Sequence, residues 1–333
     1  MSDPEPVRSW NLGPDGWGWS DLAATGWGEL IVSTRAMLLL PSDLAALRRG
    51  EVPRLRAVVG DVIEVGEEAP FHAGMRIFPA WRASCGRCEA CQRGNETLCP
   101  DWVHERIEPV GPAHRMRIPS WNVRRGCVPL SLTDAPAGQV FLQPLATAVR
   151  LLRRANPAHP QRLAVVGGGT MGRLWGMLLE VRYPAARRGI LEPSAQDCVQ
   201  HGFHVRADDH DSLEAGLDGC PDLIVVSQPT AEMLREAMER VCPGGIVIAS
   251  GEVRGNLEID LDWFASQEKR LVSAFDAGPR DFKAAAGLLP PLMGRLSSLA
   301  PAHLVLTPGS ILPHVDELVD FQVIEWITEG NEE

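Results

Sequence analysis

Cys85, Cys88, Cys91 and Cys99 lie in the run CGRCEACQRGNETLC, with the spacing C-x2-C-x2-C-x7-C. Four thiolates can close a tetrahedral zinc shell and leave no position open for a substrate. Such a site holds a loop together and does no chemistry. Gly86, Gly94 and Asn95 fall between the cysteines, where the loop must turn around the ion. The competing reading, a disulfide pair, needs an oxidising compartment, and nothing else in the sequence points to secretion.

The run LAVVGGGTMGRLWG supplies a second constellation, Gly167-x-Gly169-x-x-Gly172, with Thr170 and Met171 inside it. Gly167 permits a tight turn, Gly169 lets the backbone approach a pyrophosphate, and Gly172 lets helix and strand pack closely. A lone glycine motif is weak, but this one follows a strand pattern and opens a helical one. Glu192 ends the next strand pattern, 20 residues beyond Gly172. A carboxylate there accepts hydrogen bonds from the adenosine ribose and repels a 2′-phosphate. NAD(H) is therefore expected rather than NADP(H). Arg187 and Arg188 precede that strand and are poorly placed as phosphate clamps. A glycine-rich turn without a ligand is the plain alternative.

These residues need elements to position them. The first 150 residues are rich in Gly, Pro and Trp, with short β-like runs at Glu29–Val32, Arg56–Val65 and Arg76–Phe78. From Gln161 the pattern changes to alternating strands and helices. Strands are expected at 163–167, 189–192, 222–227, 246–250 and 271–275, with helices over Thr170–Val181 and Ala231–Val241. That alternation predicts a doubly wound parallel sheet with right-handed crossovers. After about Ala300 short strands return, with a helix near Val315–Leu318. The expected division is 1–150 completed by 301–333, with the nucleotide-type domain over 151–300.

A chain of 333 residues can bury a large core and divide into about two domains. Its net charge of −11 disfavours nucleic acid and anionic membranes as partners. The start, MSDPEPVRSWN, lacks the basic and apolar regions of a signal peptide. The densest apolar stretches, Ala36–Leu40 and Leu174–Leu179, are too short to span a bilayer. A soluble cytoplasmic protein is expected, with Cys127, Cys198, Cys220 and Cys242 as buried thiols. Trp10, Trp17, Trp19 and Trp27 are expected to pack a first hairpin region, and Trp81 to line a substrate cleft.

Together the two motifs resemble the zinc-containing medium-chain alcohol and polyol dehydrogenases, over nearly the whole chain. GELIVSTRAMLLLPSDLAALRRG (28–50) resembles the family segment that carries a catalytic cysteine. VVGDVIEVG (58–66) resembles the strand after the family's Gly-His-Glu motif, and HAGMRIFPAWRASCGRC (72–88) the approach to its zinc lobe. GQVFLQPLATAVRLLRR (138–154) resembles the E-P-L-A helix of the polyol and threonine branch, and CPGGIVIASG (242–251) the fifth cofactor-domain strand. The resemblance implies a GroES-like irregular β domain followed by a Rossmann domain. It also implies one structural Zn2+ on Cys85, Cys88, Cys91 and Cys99. The nicotinamide is expected at the carboxyl ends of the strands, near Ser227–Pro229 and Ser250–Gly251.

The catalytic zinc of that family is another matter. Its cysteine position is Leu40, its His-Glu pair is Arg56-Ala57, and the glutamate of E-P-L-A is Gln143. Leucine and alanine offer no ligand atom, and arginine stays protonated. An open zinc site needs three donors, so no catalytic zinc is expected. Three residues can stand in for it. Arg56 offers a permanent positive charge, Gln143 a neutral amide donor, and Ser42 the family's proton-passing hydroxyl. Asp43 is expected to form a structural ion pair, while His72, His104 and His114 receive no role.

The leading reading is an NAD-dependent oxidoreductase interconverting a secondary alcohol and its ketone, the substrate a polyol, sugar or natural-product intermediate. A redox-neutral NAD-using epimerase, lyase or cyclase stays open, as does a non-catalytic NAD-binding protein. Reduction of a conjugated C=C bond ranks lower, because zinc-free reductases of the superfamily usually lack the cysteine lobe. The resemblance also implies a homodimer or homotetramer, paired near Leu271–Phe275 and Pro291–Leu299.

Overall fold

A computed structural model describes residues 7–102, 107–192, 198–253, 255–300, 302–312, 315–318 and 321–327. In chain order it begins with strands β1 (Val7–Gly13), β2 (Gly16–Leu22) and β3 (Leu30–Leu39), then helix α1 (Pro41–Arg48). Next come β4 (Ala57–Val65), β5 (Arg76–Pro79), α2 (Glu89–Gln92), β6 (Arg115–Ile118) and α3 (Ser120–Gly126). They are followed by β7 (Cys127–Leu130), α4 (Pro136–Gln139) and α5 (Leu142–Ala155). The alternating part runs β8 (Arg162–Val166), α6 (Thr170–Arg182), β9 (Arg187–Leu191), β10 (Val205–Ala207) and α7 (His210–Leu217). It continues through β11 (Leu223–Ser227), α8 (Ala231–Arg240), β12 (Ile246–Ser250), α9 (Leu261–Ser266) and β13 (Arg270–Ser273). Helices α10 (Pro279–Ala286) and α11 (Leu289–Leu296) and strands β14 (Ala302–Leu306) and β15 (Gln322–Trp326) close the chain.

Two compact units result, residues 1–143 with 278–333, and residues 144–277. In the first, a seven-stranded sheet runs β14-β15-β3-β4-β5-β7, with β6 also paired to β3. β3 is buried at every position but Arg35, because β4, β6 and β15 all pair with it. Leu30, Val32, Met37 and Leu39 enter the core with Leu44, Val58, Ile77 and Ile324. Each such aliphatic side chain contributes roughly 2 kcal/mol on burial. The expected strand at Glu29–Val32 is therefore longer than its apolar run, since bulges at Ile31/Val32 and Thr34/Ala36 carry it across Ser33–Arg35.

In the second unit six parallel strands lie in the order β10-β9-β8-β11-β12-β13. Numbered along the chain this is 3-2-1-4-5-6, the doubly wound order whose direction reverses beside its first strand. The fold is thus a GroES-like β unit plus a Rossmann-type α/β unit. No helix among the described residues is long and apolar enough to cross a membrane.

Two local expectations need correction. Cys220 and Cys242 are a disulfide rather than separate thiols, with Cα atoms 5.4 Å apart. Each lies a few residues before one of two neighbouring parallel strands, β11 and β12, whose pairing sets Leu223 against Ile246. The sequence separation of 22 hides that adjacency. Arg187 and Arg188 do not precede β9 but begin it. Arg188 is buried, and its guanidinium donates to the carbonyls of Gly202, Tyr183 and Ala186, tying the strand to its surroundings.

Candidate functional site

In the cysteine lobe, α2 carries Cys91, and a short turn over Glu96–Leu98 leads to Cys99. The sulfur atoms of Cys85–Cys91, Cys88–Cys91, Cys88–Cys99 and Cys85–Cys99 lie 4.0, 3.5, 3.7 and 3.5 Å apart. A tetrahedral zinc with Zn–S bonds of about 2.3 Å requires edges of about 3.8 Å. The four thiols therefore fit a Zn2+ without rearrangement. Among the described residues they are the one group of three or more Cys, His, Asp or Glu able to hold a metal. Backbone N–H groups of Arg87 and Cys88 pull the Cys85 thiol down to about 7, whereas burial pushes Cys99 up to about 12. Arg125 donates to the Cys85 carbonyl at 2.6 Å, and buried Glu96 accepts from the Arg280 amide at the start of α10.

Elsewhere in the same unit, β3 ends at Leu39 and β4 begins at Ala57, with Leu38 opposite Ala57. Leu40, Ser42 and Arg56 are thereby brought to one end of this ladder, and none of the three side chains is a metal ligand. α1 starts there with Pro41 in its first turn, and the Asp43 carboxylate accepts from the Leu40 amide at 2.9 Å. Asp43 caps the helix instead of forming a close ion pair. It is only 3% exposed, and burial raises its acid to about 6 against the pull of the Leu40 N–H and the Arg56 charge. The Arg56 guanidinium lies over the Trp81 ring at 5.2 Å, and that of Arg82 over the same ring at 3.9 Å. Gln143 is buried in the first turn of α5.

His114 is a core histidine. Its Nδ1 accepts from the Trp10 amide at 2.7 Å, and its ring packs against Trp19 and Trp326. Burial, then the Arg115 charge, lower its pKa to about 4. His72 is exposed, and His104 lies outside the described residues. Trp10, Trp17 and Trp19 pack together on β1 and β2 with Trp326, as aromatic packing of that hairpin requires.

Asp43 and His114 have opposite effects on stability. Asp43, raised, contributes stability below about pH 4 that is lost as pH rises through about 6. His114, lowered, contributes stability above about pH 6.5 that is lost as pH falls through about 4. Between pH 4 and 6 the two slopes oppose one another. Asp43→Asn is therefore expected to steepen acid destabilisation in that window, by on the order of 3 kcal/mol across it. Urea denaturation of both proteins at several pH values checks this; parallel stability curves would contradict it.

In the second unit the glycine motif forms a cradle between β8 and α6. Gly167 takes φ +98°, and Gly169 is the residue just before the first turn of α6. A Cβ on Gly172 would lie 1.8 Å from the Gly167 carbonyl oxygen, so only glycine lets helix and turn approach this closely. Thr170, buried, and Met171 begin α6. Glu192 follows β9, and its carboxylate accepts from the Gly168 amide at 3.0 Å, which holds it beside the glycine turn. Ser227 and Ser250 end neighbouring strands β11 and β12 in register, with Gly251 next in the chain. These are carboxyl-terminal strand ends, where doubly wound sheets bind dinucleotides. The cradle fits a pyrophosphate against the α6 N-terminus, and Glu192 fits the ribose hydroxyls.

Three contributors escaped sequence reasoning. Trp175, wholly buried on α6, donates its indole N–H to the Ser250 hydroxyl at 2.7 Å and so orients it. Arg173 donates to the Gly168 carbonyl at 3.1 Å, and Gln228 takes a positive φ of 56° directly after Ser227. The only available signal was their nearness in sequence to the glycine run and to the strand ends.

Residues 26–123 match the family model of the alcohol dehydrogenase GroES-like domain. The chain is 21% identical to L-galactonate-5-dehydrogenase of Escherichia coli K12 over 296 residues, 80% of this chain and 81% of that one. An alcohol dehydrogenase structure from E. coli CFT073 complexed with NADH superposes with a TM-score of 0.77 at 16% identity, covering 96% of this chain and 98% of that one. The 2R,3R-butanediol dehydrogenase of Bacillus subtilis does so with 0.74 at 15% identity, covering 96% and 99%.

Proposed function

Because the chain belongs to the medium-chain dehydrogenase/reductase superfamily, we propose that it is an NAD-dependent oxidoreductase that interconverts a secondary alcohol and its ketone without a catalytic zinc. Its substrate is a polyol, sugar or natural-product intermediate. The observation that carries this reading is the cradle of Gly167, Gly169 and Gly172 with the Glu192 carboxylate fixed beside it. NAD(H), when bound, supplies the hydride chemistry.

The chain's own residues handle the proton and the charge. Ser42 passes the hydroxyl proton of the alcohol toward solvent. Arg56 and the Gln143 amide stabilise negative charge on the substrate oxygen, and one such donor is worth about 3 kcal/mol. Thr170 and Met171 receive the pyrophosphate at the start of α6, while Ser227, Ser250 and Gly251 hold the nicotinamide end. Ser42→Ala is expected to lower kcat about a hundredfold with the KM for NAD unchanged. An unaltered kcat would remove Ser42 from the mechanism.

Glu192 sets cofactor choice. Glu192→Ala is expected to reduce the NAD-over-NADP preference in kcat/KM at least about tenfold. Steady-state rates with both cofactors check this, and an unchanged ratio would contradict it. β13 is one of the two edge strands of the six-stranded sheet, and Phe275 just beyond it is 72% exposed. This supports a homo-oligomer paired along that edge. The whole reading is tested by NADH formation across a panel of polyols, sugars and secondary alcohols after chelator treatment. No turnover on any of them would overturn it.

A further inference from the structure

We infer that the Cys220–Cys242 disulfide is a reversible redox lock on the second unit, opened by a small thiol that attacks Cys242 and closed again by a small disulfide. The inference goes beyond the hydride-transfer reading and does not depend on it. Cys220 lies just before β11 and Cys242 just before β12, so the closed loop holds the whole β11–α8 crossover. Both cysteines are half-buried rather than sealed in the core. The bond stands at the amino ends of these strands, whereas Ser227 and Ser250 end them on the other side of the sheet. A reductant can therefore reach it without displacing a dinucleotide.

An open pocket of about 250 Å³ gives that access. Cys242 lines it together with Pro157, His159, Asp222, Gly244 and Arg270, while Cys220 does not. The attacked residue is thus Cys242, and Cys220 is the leaving group. The Asp222 carboxylate already accepts from the Gln161 and Arg162 amides, at 2.8 Å each, and pairs with the Arg162 guanidinium. The charge left to an incoming ligand is that of Arg270, which favours a thiolate. In the first exchange the small thiolate bonds to Cys242 Sγ as the Sγ–Sγ bond breaks and Cys220 departs as a thiolate. A second small thiolate then takes up the first as a symmetric disulfide and releases Cys242. Two small thiols lose two electrons, the protein disulfide gains them, and the two thiol protons end on Cys220 and Cys242.

The surrounding backbone keeps its geometry without the bond. β11 and β12 pair over five residues, from Leu223 opposite Ile246 to Ser227 opposite Ser250. The Cys242 amide donates to the Pro221 carbonyl at 2.9 Å, and the Ile246 amide to that of Asp222 at 3.0 Å. Lys269 holds the end of α8 through the Met238 and Glu239 carbonyls. The reduced thiols therefore stay within reach of one another, and the disulfide can re-form. What the bond changes is the freedom gained when the crossover opens. α8 spans 10 residues and buries Leu234, Ala237 and Met238, so it is poised to open locally, and the cross-link limits that opening.

Differential alkylation and peptide mass mapping of the native, zinc-loaded protein test the exchange, with glutathione as the probe. Air-oxidised protein is expected to carry the Cys220–Cys242 bond, to lose it within hours in excess reduced glutathione, and to regain it in oxidised glutathione. Zinc content, measured alongside, is expected to stay constant. Reduction should lower the melting temperature by roughly 6–12 °C, as freeing a loop of this size implies. Hydrogen exchange should quicken at α8 and not in the cysteine lobe. A protein carrying both Cys220→Ser and Cys242→Ser should melt with the reduced wild type and ignore glutathione. Free thiols at both positions under oxidising conditions, or a bond that opens only after denaturation, would overturn the inference. So would an unchanged melting temperature on reduction, or an equal glutathione response in the double variant. Opening by a protein dithiol but not by glutathione would overturn the small-thiol assignment.

Discussion

A Gly172→Ala protein is expected to bind NADH at least a hundredfold more weakly than wild type, with its zinc content unchanged. The added methyl would meet the Gly167 carbonyl oxygen at 1.8 Å and its carbon at 2.9 Å, both backbone atoms that cannot swing aside. Either α6 moves away from β8 or the turn at Gly167 opens, and both displace the amides that face a pyrophosphate. Such overpacking costs about 1–3 kcal/mol of stability besides. Because the cysteine lobe lies in the other unit, zinc content serves as the internal control. Calorimetry with NADH checks the first effect and thermal denaturation the second. Binding within a factor of about three of wild type would mean the turn is not where the dinucleotide sits.

The second large effect is expected at the cysteine lobe. Cys91→Ser removes one of four sulfurs from a shell whose edges already match tetrahedral zinc. Three thiols, buried Cys85 and Cys99 and partly buried Cys88, are then left without a complete shell, and metal affinity falls sharply, since structural zinc binding is folding free energy. Glu96, in the loop between Cys91 and Cys99, accepts from the Arg280 amide, so the start of α10 loosens with the lobe. A loss of about 3 kcal/mol corresponds to a midpoint lower by roughly 6–12 °C for a unit of this size. Exhaustive chelation of the wild type should reproduce that shift. A variant that melts with the wild type while lacking zinc would show that the ion does not stabilise this unit.

Much of this was legible because local chemistry and fold agreed. The strand Ile246–Ser250 was readable residue for residue, as an unbroken apolar run between a Gly-Gly turn and a glycine. The glycine motif and the four cysteines carried their geometry in their spacing. β3 was only half legible, since Ser33, Thr34 and Arg35 interrupt its apolar run and burial comes from strands distant in sequence. The Cys220–Cys242 pair depends on which strands are neighbours, which no local pattern encodes. The stacking of Arg56 and Arg82 on one indole joins two loops and is likewise a property of topology. α10 and α11 were hidden by prolines, which sit in the first turn of each, where a missing N–H costs nothing.

At the centre stands the proposal that hydride transfer here needs no metal beyond the zinc of the four-cysteine lobe. Elemental zinc analysis paired with NADH formation, on protein dialysed against a chelator mild enough to spare the cysteine lobe, tests it most directly. One zinc per chain with undiminished turnover is the predicted result. Two zincs per chain, with activity lost as the second is stripped, would contradict it.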